Sequence, residues 1–358
     1  MSNQKWVKIG KVAALKKKEL QPIDIEGKRI ALSFRDGKFG AISGTCLHEG
    51  GPLGEGSIRN DYVVCPWHSW QFHRVTGKAR PGIPAAIPQF ELKEEAGELY
   101  LNATPLTKAK HASHPKHPLE REIKRKPGPI RVVGISTTVM NKEYPRYSTS
   151  EALLQESLDH AKKNHGAETK LIKLNDLNFS PCEGYYSKSA HACTWPCTIT
   201  QFDPKDELTE VYEAFVFWAD VVIISTAIRW GAPSSLYFKM AERMNAVQNQ
   251  MTIADRVLIR NKTAAFIVTG GQDNVQAVVG QMVTFFSELG FAFPQFPFIA
   301  HSRGWHAEDM ENNVNYVKQS EFLREGARAL IDRSVAMASD LIENEPMCKV
   351  VRGGRKAR

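Results

Sequence analysis

The chain has 358 residues, 42% of them hydrophobic, and a formal net charge of +8. That length exceeds one ordinary core and suits two domains. No run of about eighteen apolar residues occurs, and the amino-terminal segment lacks the basic-then-apolar order of a signal peptide, so a cytoplasmic protein without a membrane span is expected.

From about Lys5 to Ala103, short alternating segments (WVKIG, RIALSF, KFGAIS, YVVCP, FELKEE and ELYLNA) are bounded by Gly, Asp or Pro turns. The pattern predicts a small antiparallel all-β domain over residues 1–105. The next stretch, 106–129, is basic, carries proline and lacks apolar periodicity. It reads as an exposed linker, its histidines as polar spacers, and residues 346–358 as a basic tail. Such charge can attract nucleic acid, but no nucleic-acid motif accompanies it, and no nucleic-acid partner is expected.

Residues 130–345 alternate strand and helix. IRVVGI, TKLIKL, VVIIS, AAFIVTGG and FAFPQF read as strands. Helices are expected from Ser150 to about His165, Asp206 to Ala219, Pro233 to about Gln248, Asn274 to Leu289 and Ser320 to about Glu343. Strands alternating with helices predict a doubly wound parallel sheet, an α/β fold.

Six cysteines occur: Cys46, Cys65, Cys182, Cys193, Cys197 and Cys348. Cys46-Leu-His48 and Cys65-Pro-Trp-His68 form two Cys/His pairs separated by sixteen residues, each expected at the tip of a hairpin loop. Two thiolates can hold one iron of a [2Fe–2S] cluster and two neutral imidazoles the other. A structural zinc site uses the same donor types. The surrounding CLHEGGPLGEG and CPWHSWQFHRVTGKARPG resemble the Rieske ferredoxin family, with its C-x-H, C-P-x-H and downstream T-G signature. The resemblance implies that Cys46 and Cys65 bind the inner iron, and His48 and His68 the outer iron near the surface. Gly51 and Trp67 stand where respiratory Rieske proteins carry a loop disulfide, and Trp70 and Phe72 where those proteins place hydroxyls on the cluster. A ferredoxin-type centre of lower potential is therefore implied. Ser69 replaces the family's usual glycine.

In the second half, three loops follow strand C-terminal ends: GISTT with Ser148-Thr-Ser150, STAIRWGAPSSLYFKMAERM, and TGGQDN. Hydroxyls at a helix start suit a phosphate, and such strand ends are where open parallel sheets bind ligands. Their order resembles the NAD(P)H-dependent FMN reductase family of the flavodoxin-like fold. The resemblance implies that Ser136, Thr138 and Ser148 cradle the FMN phosphate. It places Thr226, Ala227, Ile228, Arg229, Trp230 and Gly231 along the isoalloxazine, with Thr269, Gly270, Gly271 and Gln272 at its other edge. Ala227-Ile-Arg229 replaces the family's Pro-x-Tyr, and NKEYPRY lengthens the first loop. Cys182, Cys193 and Cys197, with His191 nearby, are too irregularly spaced for a second cluster and read as reduced thiols.

Together these features imply an enzyme that passes electrons between a nicotinamide donor, FMN and a Rieske [2Fe–2S] cluster to a quinone, small electrophile or partner protein, with no side chain acting as general acid or base. The family habit implies a homo-oligomer, a dimer or tetramer. A non-enzymatic electron carrier or redox sensor is the alternative. A Rieske oxygenase would need a mononuclear site of two histidines and a carboxylate, for which the second half offers few candidates.

Overall fold

The computed structural model describes residues 4–81, 83, 85–107, 116–187, 193–270, 274–304 and 306–344. Most of the histidine-bearing stretch of the linker, His191, Gly271, Gln272 and the tail with Cys348 lie outside them. The chain divides into two compact units. The first takes the chain up to Glu120 with Gly184–Thr194 and Gln201–Pro204, and the second takes the rest.

The first unit is all β, with one short helix, α1 (Val12–Leu15). Strands β1 (Trp6–Lys11), β9 (Glu98–Asn102) and β8 (Leu92–Glu95) form one antiparallel sheet. β2 (Leu20–Ile25), β3 (Lys28–Arg35) and β4 (Lys38–Ser43) form a second, and β5 (Ser57–Arg59), β6 (Tyr62–Val64) and β7 (Gln71–His73) a third. The period-two alternation of β3 divides two cores. Ile30 and Leu32 pack with Leu99 and Leu101, while Ala31 packs with Ile42, Val63 and Phe72 around the two cysteines. Of the two Cys/His loops, the one between the paired strands β6 and β7 is a hairpin tip. The loop carrying Cys46 joins β4 to β5 in another sheet, because β4 is already paired to β3.

The second unit holds a parallel sheet in the order β11 (Glu168–Lys173), β10 (Arg131–Ser136), β12 (Val221–Ala227), β13 (Thr263–Gly270), β14 (Phe298–Ser302). This is the flavodoxin-like order, with its switch point beside β10. The inner strands are Val/Ile-rich and buried along their length, as a sheet covered on both faces requires. α2 (Thr149–His165) packs through Leu153, Leu154, Leu158 and Ala161 beside Ala327, Leu330 and Ile331 of α9 (Glu321–Glu343) on one face. α3 (Thr198–Phe202), α4 (Thr209–Tyr212), α5 (Ser235–Arg243), α6 (Asn245–Ile253), α7 (Val275–Leu289) and α8 (Ala307–Gln319) complete the set.

Several expectations are corrected. The fifth strand is Phe298–Ser302, not FAFPQF. Pro294 and Pro297 lack the N–H a ladder needs, Phe296 has φ +50°, and only Ala292 makes an isolated bridge, to Thr263. The helix expected over Asp206–Ala219 is a single α-turn run followed by a π-helical segment, Glu213–Trp218. The one expected from Pro233 is two helices meeting at Met244. α8 was not anticipated. The end of the basic linker is also no free spacer: Arg125 donates from Nε to Asp220 Oδ1 at 2.8 Å and from Nη2 to Oδ2 at 3.1 Å, fastening it to the start of β12.

Candidate functional site

The two Cys/His loops are built alike. Gly50 N–H donates to Cys46 C=O and Cys46 N–H to Gly51 C=O, at 3.0 and 2.9 Å. In the second loop Ser69 N–H donates to Cys65 C=O and Cys65 N–H to Trp70 C=O, at 3.0 and 2.7 Å. Each loop turns through a left-handed residue, Gly50 at φ +77° and Ser69 at φ +57°. Serine thus adopts the conformation glycine favours at that turn, and the loop shape is kept.

Cys46 and Cys65 are buried at 2% and 1% exposure. The neighbouring Cys65 side chain and burial push the Cys46 thiol well up, while the backbone N–H groups of His48 and Glu49 pull it the other way. Two buried thiols side by side resist ionisation until a cation replaces their protons. The His48 and His68 Nδ1 atoms lie 3.1 Å apart, with the rings at 86°. Trp70 stacks on His48 at 4.9 Å and 12°, and Trp67 meets His68 edge-on at 6.3 Å. These walls leave His48 9% and His68 0% exposed, so the imidazoles are covered rather than presented at the surface as expected. A Cβ added at Gly51 would lie 2.7 Å from Cys65 Sγ and strike the Trp67 ring. Buried paired thiols, imidazole nitrogens turned to one point and a glycine-wide gap fit a [2Fe–2S] group.

In the second unit a cleft of about 520 Å³ opens at the C-terminal ends of β10, β12 and β13. Thr138, Ser148, Ala227, Ile228, Arg229, Trp230, Thr269 and Gly270 line it. The hydroxyls of Thr138, Ser148 and Ser150 lie 2.8–3.4 Å from one another at the start of α2, where Ser148 accepts from Glu151 N–H as the helix cap. Arg146 also lines the cleft. A hydroxyl cluster at a helix N-terminus, in a cleft that an arginine also lines, fits a phosphate. Ser136 and Thr226 do not line the cleft. Ser136 Oγ donates to Glu151 Oε2 at 2.7 Å, and Thr226 Oγ1 accepts from Ser234 N–H at 3.1 Å. Gly231 shapes the second loop instead. Arg229 and Ala232 exchange backbone hydrogen bonds of 2.8 and 3.0 Å around Trp230 (φ +52°) and Gly231 (φ +70°). This tight turn holds Trp230 94% exposed at the cleft.

Asn313 of α8 also lines the cleft, which the sequence reading missed because α8 itself was missed. It is 5% exposed, donates from Nδ2 to Gly270 C=O at 3.3 Å, and its buried carbonyl oxygen has no hydrogen-bond partner among the described residues. Burial holds the His301 imidazole below its usual pKa, with the Asn313 side chain pulling upward and Arg303 pushing further down.

Cys182 and Cys193 are half-buried and Cys197 is buried. Cys197 lies in a buried polar knot where Arg243 donates to its sulfur at 3.2 Å and to both oxygens of Asp206 at 3.1 and 2.6 Å. Among the described residues, no helix is long and apolar enough to cross a membrane.

The sequence model of the Rieske [2Fe-2S] domain matches residues 5–91, and that of NADPH-dependent FMN reductase matches residues 130–306. The ferredoxin component of the alkene monooxygenase system of Xanthobacter autotrophicus is 31% identical over 91 residues, 25% of this chain and 75% of that protein. Ferredoxin CarAc of Metapseudomonas resinovorans is 28% identical over 102 residues, 28% of this chain and 94% of that protein. The crystal structure of RosB with bound 8-demethyl-8-formylriboflavin-5′-phosphate aligns with TM-score 0.47 and 16% identity, over 64% of this chain and 91% of that one. This chain belongs to the Rieske [2Fe–2S] ferredoxin family through its first unit, and, joined there to an NADPH-dependent FMN reductase domain, it is an FMN-dependent electron-transfer oxidoreductase using [2Fe–2S], FMN and NAD(P)H.

Proposed function

We propose that the chain oxidises NAD(P)H and passes the electrons singly, through its Rieske unit, to a partner protein. When bound, FMN supplies two-electron uptake with one-electron release, and the cluster supplies one-electron carriage. The side chains supply position and charge. Cys46 and Cys65 would hold one iron as thiolates, and His48 and His68 would hold the other through imidazole nitrogen. Thr138, Ser148 and Ser150 donate hydroxyls to the FMN phosphate, and Arg146 offsets its charge. Trp230 covers the ring, and the Asn313 carbonyl accepts a hydrogen bond from its polar edge.

The carrying observation is that one chain combines convergent Cys/His loops with a hydroxyl-lined cleft at parallel-strand ends. Among a quinone, a small electrophile and a protein as acceptor, the relatives named as ferredoxin components of oxygenase systems favour a protein. Anaerobic mixing with NADPH tests the reading. Rapid bleaching of the flavin band followed by reduction of a one-electron protein acceptor supports it. A flavin that stays oxidised leaves the non-enzymatic carrier.

A further inference from the structure

At its last residues α2 brings His160 and His165 against Asp332 of α9. Asp332 Oδ1 lies 2.8 Å from His160 Nε2 and 2.6 Å from His165 Nε2. The three ligand atoms all fall within 4.8 Å of one another. Two imidazoles and a carboxylate are the donor types that bind borderline divalent ions and leave a position for water. Their setting favours a cation, because the closing carbonyls of a helix carry partial negative charge. Lys162 and Lys163 oppose it, but both are exposed and screened by solvent. Asn164 Nδ2 lies 3.0 Å from His160 Nδ1 and 3.3 Å from Nε2, so it must turn towards Nδ1 alone when Nε2 takes an ion.

We propose that His160, His165 and Asp332 bind a zinc-class divalent ion that clamps α2 to α9. Ligands about 2.0–2.2 Å from a tetrahedral ion stand about 3.3 Å apart. The side chains therefore part by about half an ångström on binding, which the half-exposed Asp332 permits. The clamp sits at the far end of α2 from its cap Ser148, roughly 20 Å away along the helix. Its role is therefore structural, and it stands independently of the flavin reading.

The test uses protein loaded with cluster and FMN, washed with a chelator and dialysed against Zn²⁺ alone. Wild type is expected to retain one zinc per chain more than Asp332→Asn or His165→Gln. The affinity lost in each variant should exceed the roughly tenfold cost of an outer-sphere partner. Zn²⁺ should raise the melting temperature of wild type only, and the gain should fade in acid, because ligation needs neutral imidazole. Unchanged iron and FMN content in His165→Gln, whose ring is partly exposed, shows that the variant folds. Equal zinc in wild type and variants overturns the proposal and leaves two imidazoles hydrogen-bonded to one carboxylate oxygen.

Discussion

Nδ1 of His48 and Nδ1 of His68 lie 3.1 Å apart inside a pocket walled by Trp67 and Trp70. Two protonated nitrogens at that distance repel, as do two bare lone pairs, so the pair is satisfied by one shared proton or one shared cation. His68→Gln is expected to abolish the paramagnetic signal of the reduced Rieske centre and leave FMN stoichiometry at the wild-type value. The check is resonance spectroscopy with iron and flavin analysis on one preparation. A normal signal in the variant would remove His68 from the ligand set.

Gly51 reports on the same centre from the opposite loop. Its missing side chain leaves Cys65 Sγ and the Trp67 ring where they are, since a Cβ would lie 2.7 and 3.2 Å from them. Gly51→Ala is expected to lower cluster occupancy severalfold while the β-sheets persist in far-ultraviolet dichroism. Full occupancy would mean that the loop yields without cost, and the close-approach account of Gly51 would then fail.

The sequence disclosed what depends on local spacing. The Cys/His pairs, the buried strands of the parallel sheet and the hydroxyl-rich start of α2 were all legible from residues close in the chain. What depends on distant partners was not. Ser136 and Thr138 read alike, yet one hydroxyl is taken by Glu151 and only the other lines the cleft. FAFPQF out-scores FIAHS in apolar content, but Pro294 within it and Pro297 just after it deny it a ladder, and the half-buried edge strand falls seven residues later. Asn313 carries no local signal at all: its value comes from Gly270, forty-three residues away in sequence.

Thr138 and Asn313 test the proposed placement of the flavin in the cleft. Thr138→Val removes one hydroxyl from the cluster, and with it the 2.8 Å contact to Ser148 Oγ, while Ser148 keeps the Glu151 N–H that it caps. Losing a hydrogen bond to a charged group costs about 1.5–3 kcal/mol. FMN affinity should therefore fall roughly tenfold or more, with riboflavin binding unchanged. Asn313→Leu, at the ring side, is expected to weaken FMN and riboflavin equally. Fluorescence titration of flavin-depleted protein with both ligands decides. A Thr138→Val variant that loses riboflavin as strongly as FMN would place the phosphate elsewhere.

Lys262 gives the second unit a stability slope at alkaline pH. It is 8% exposed, and burial pushes its ammonium from 10.5 down to about 8, with Asp220 pulling upward and Arg125 and Arg131 pushing further down. Between about pH 8 and 10.5 the folded chain has released this proton while the unfolded chain retains it, so the unfolded state binds more protons and stability rises with pH. Below pH 8 the cost of the buried charge is carried in full, at most about 3 kcal/mol for a shift of this size. Lys262→Met is therefore expected to be more stable than wild type at pH 7, with the advantage shrinking towards pH 10. Asp220 keeps its Arg125 partner and the Arg131 N–H in the variant, so no carboxylate is stranded. Urea denaturation at successive pH values, followed by FMN release, measures the difference between the two proteins. Parallel stability curves for wild type and Lys262→Met would show that the ammonium reaches water and that its burial carries no such cost.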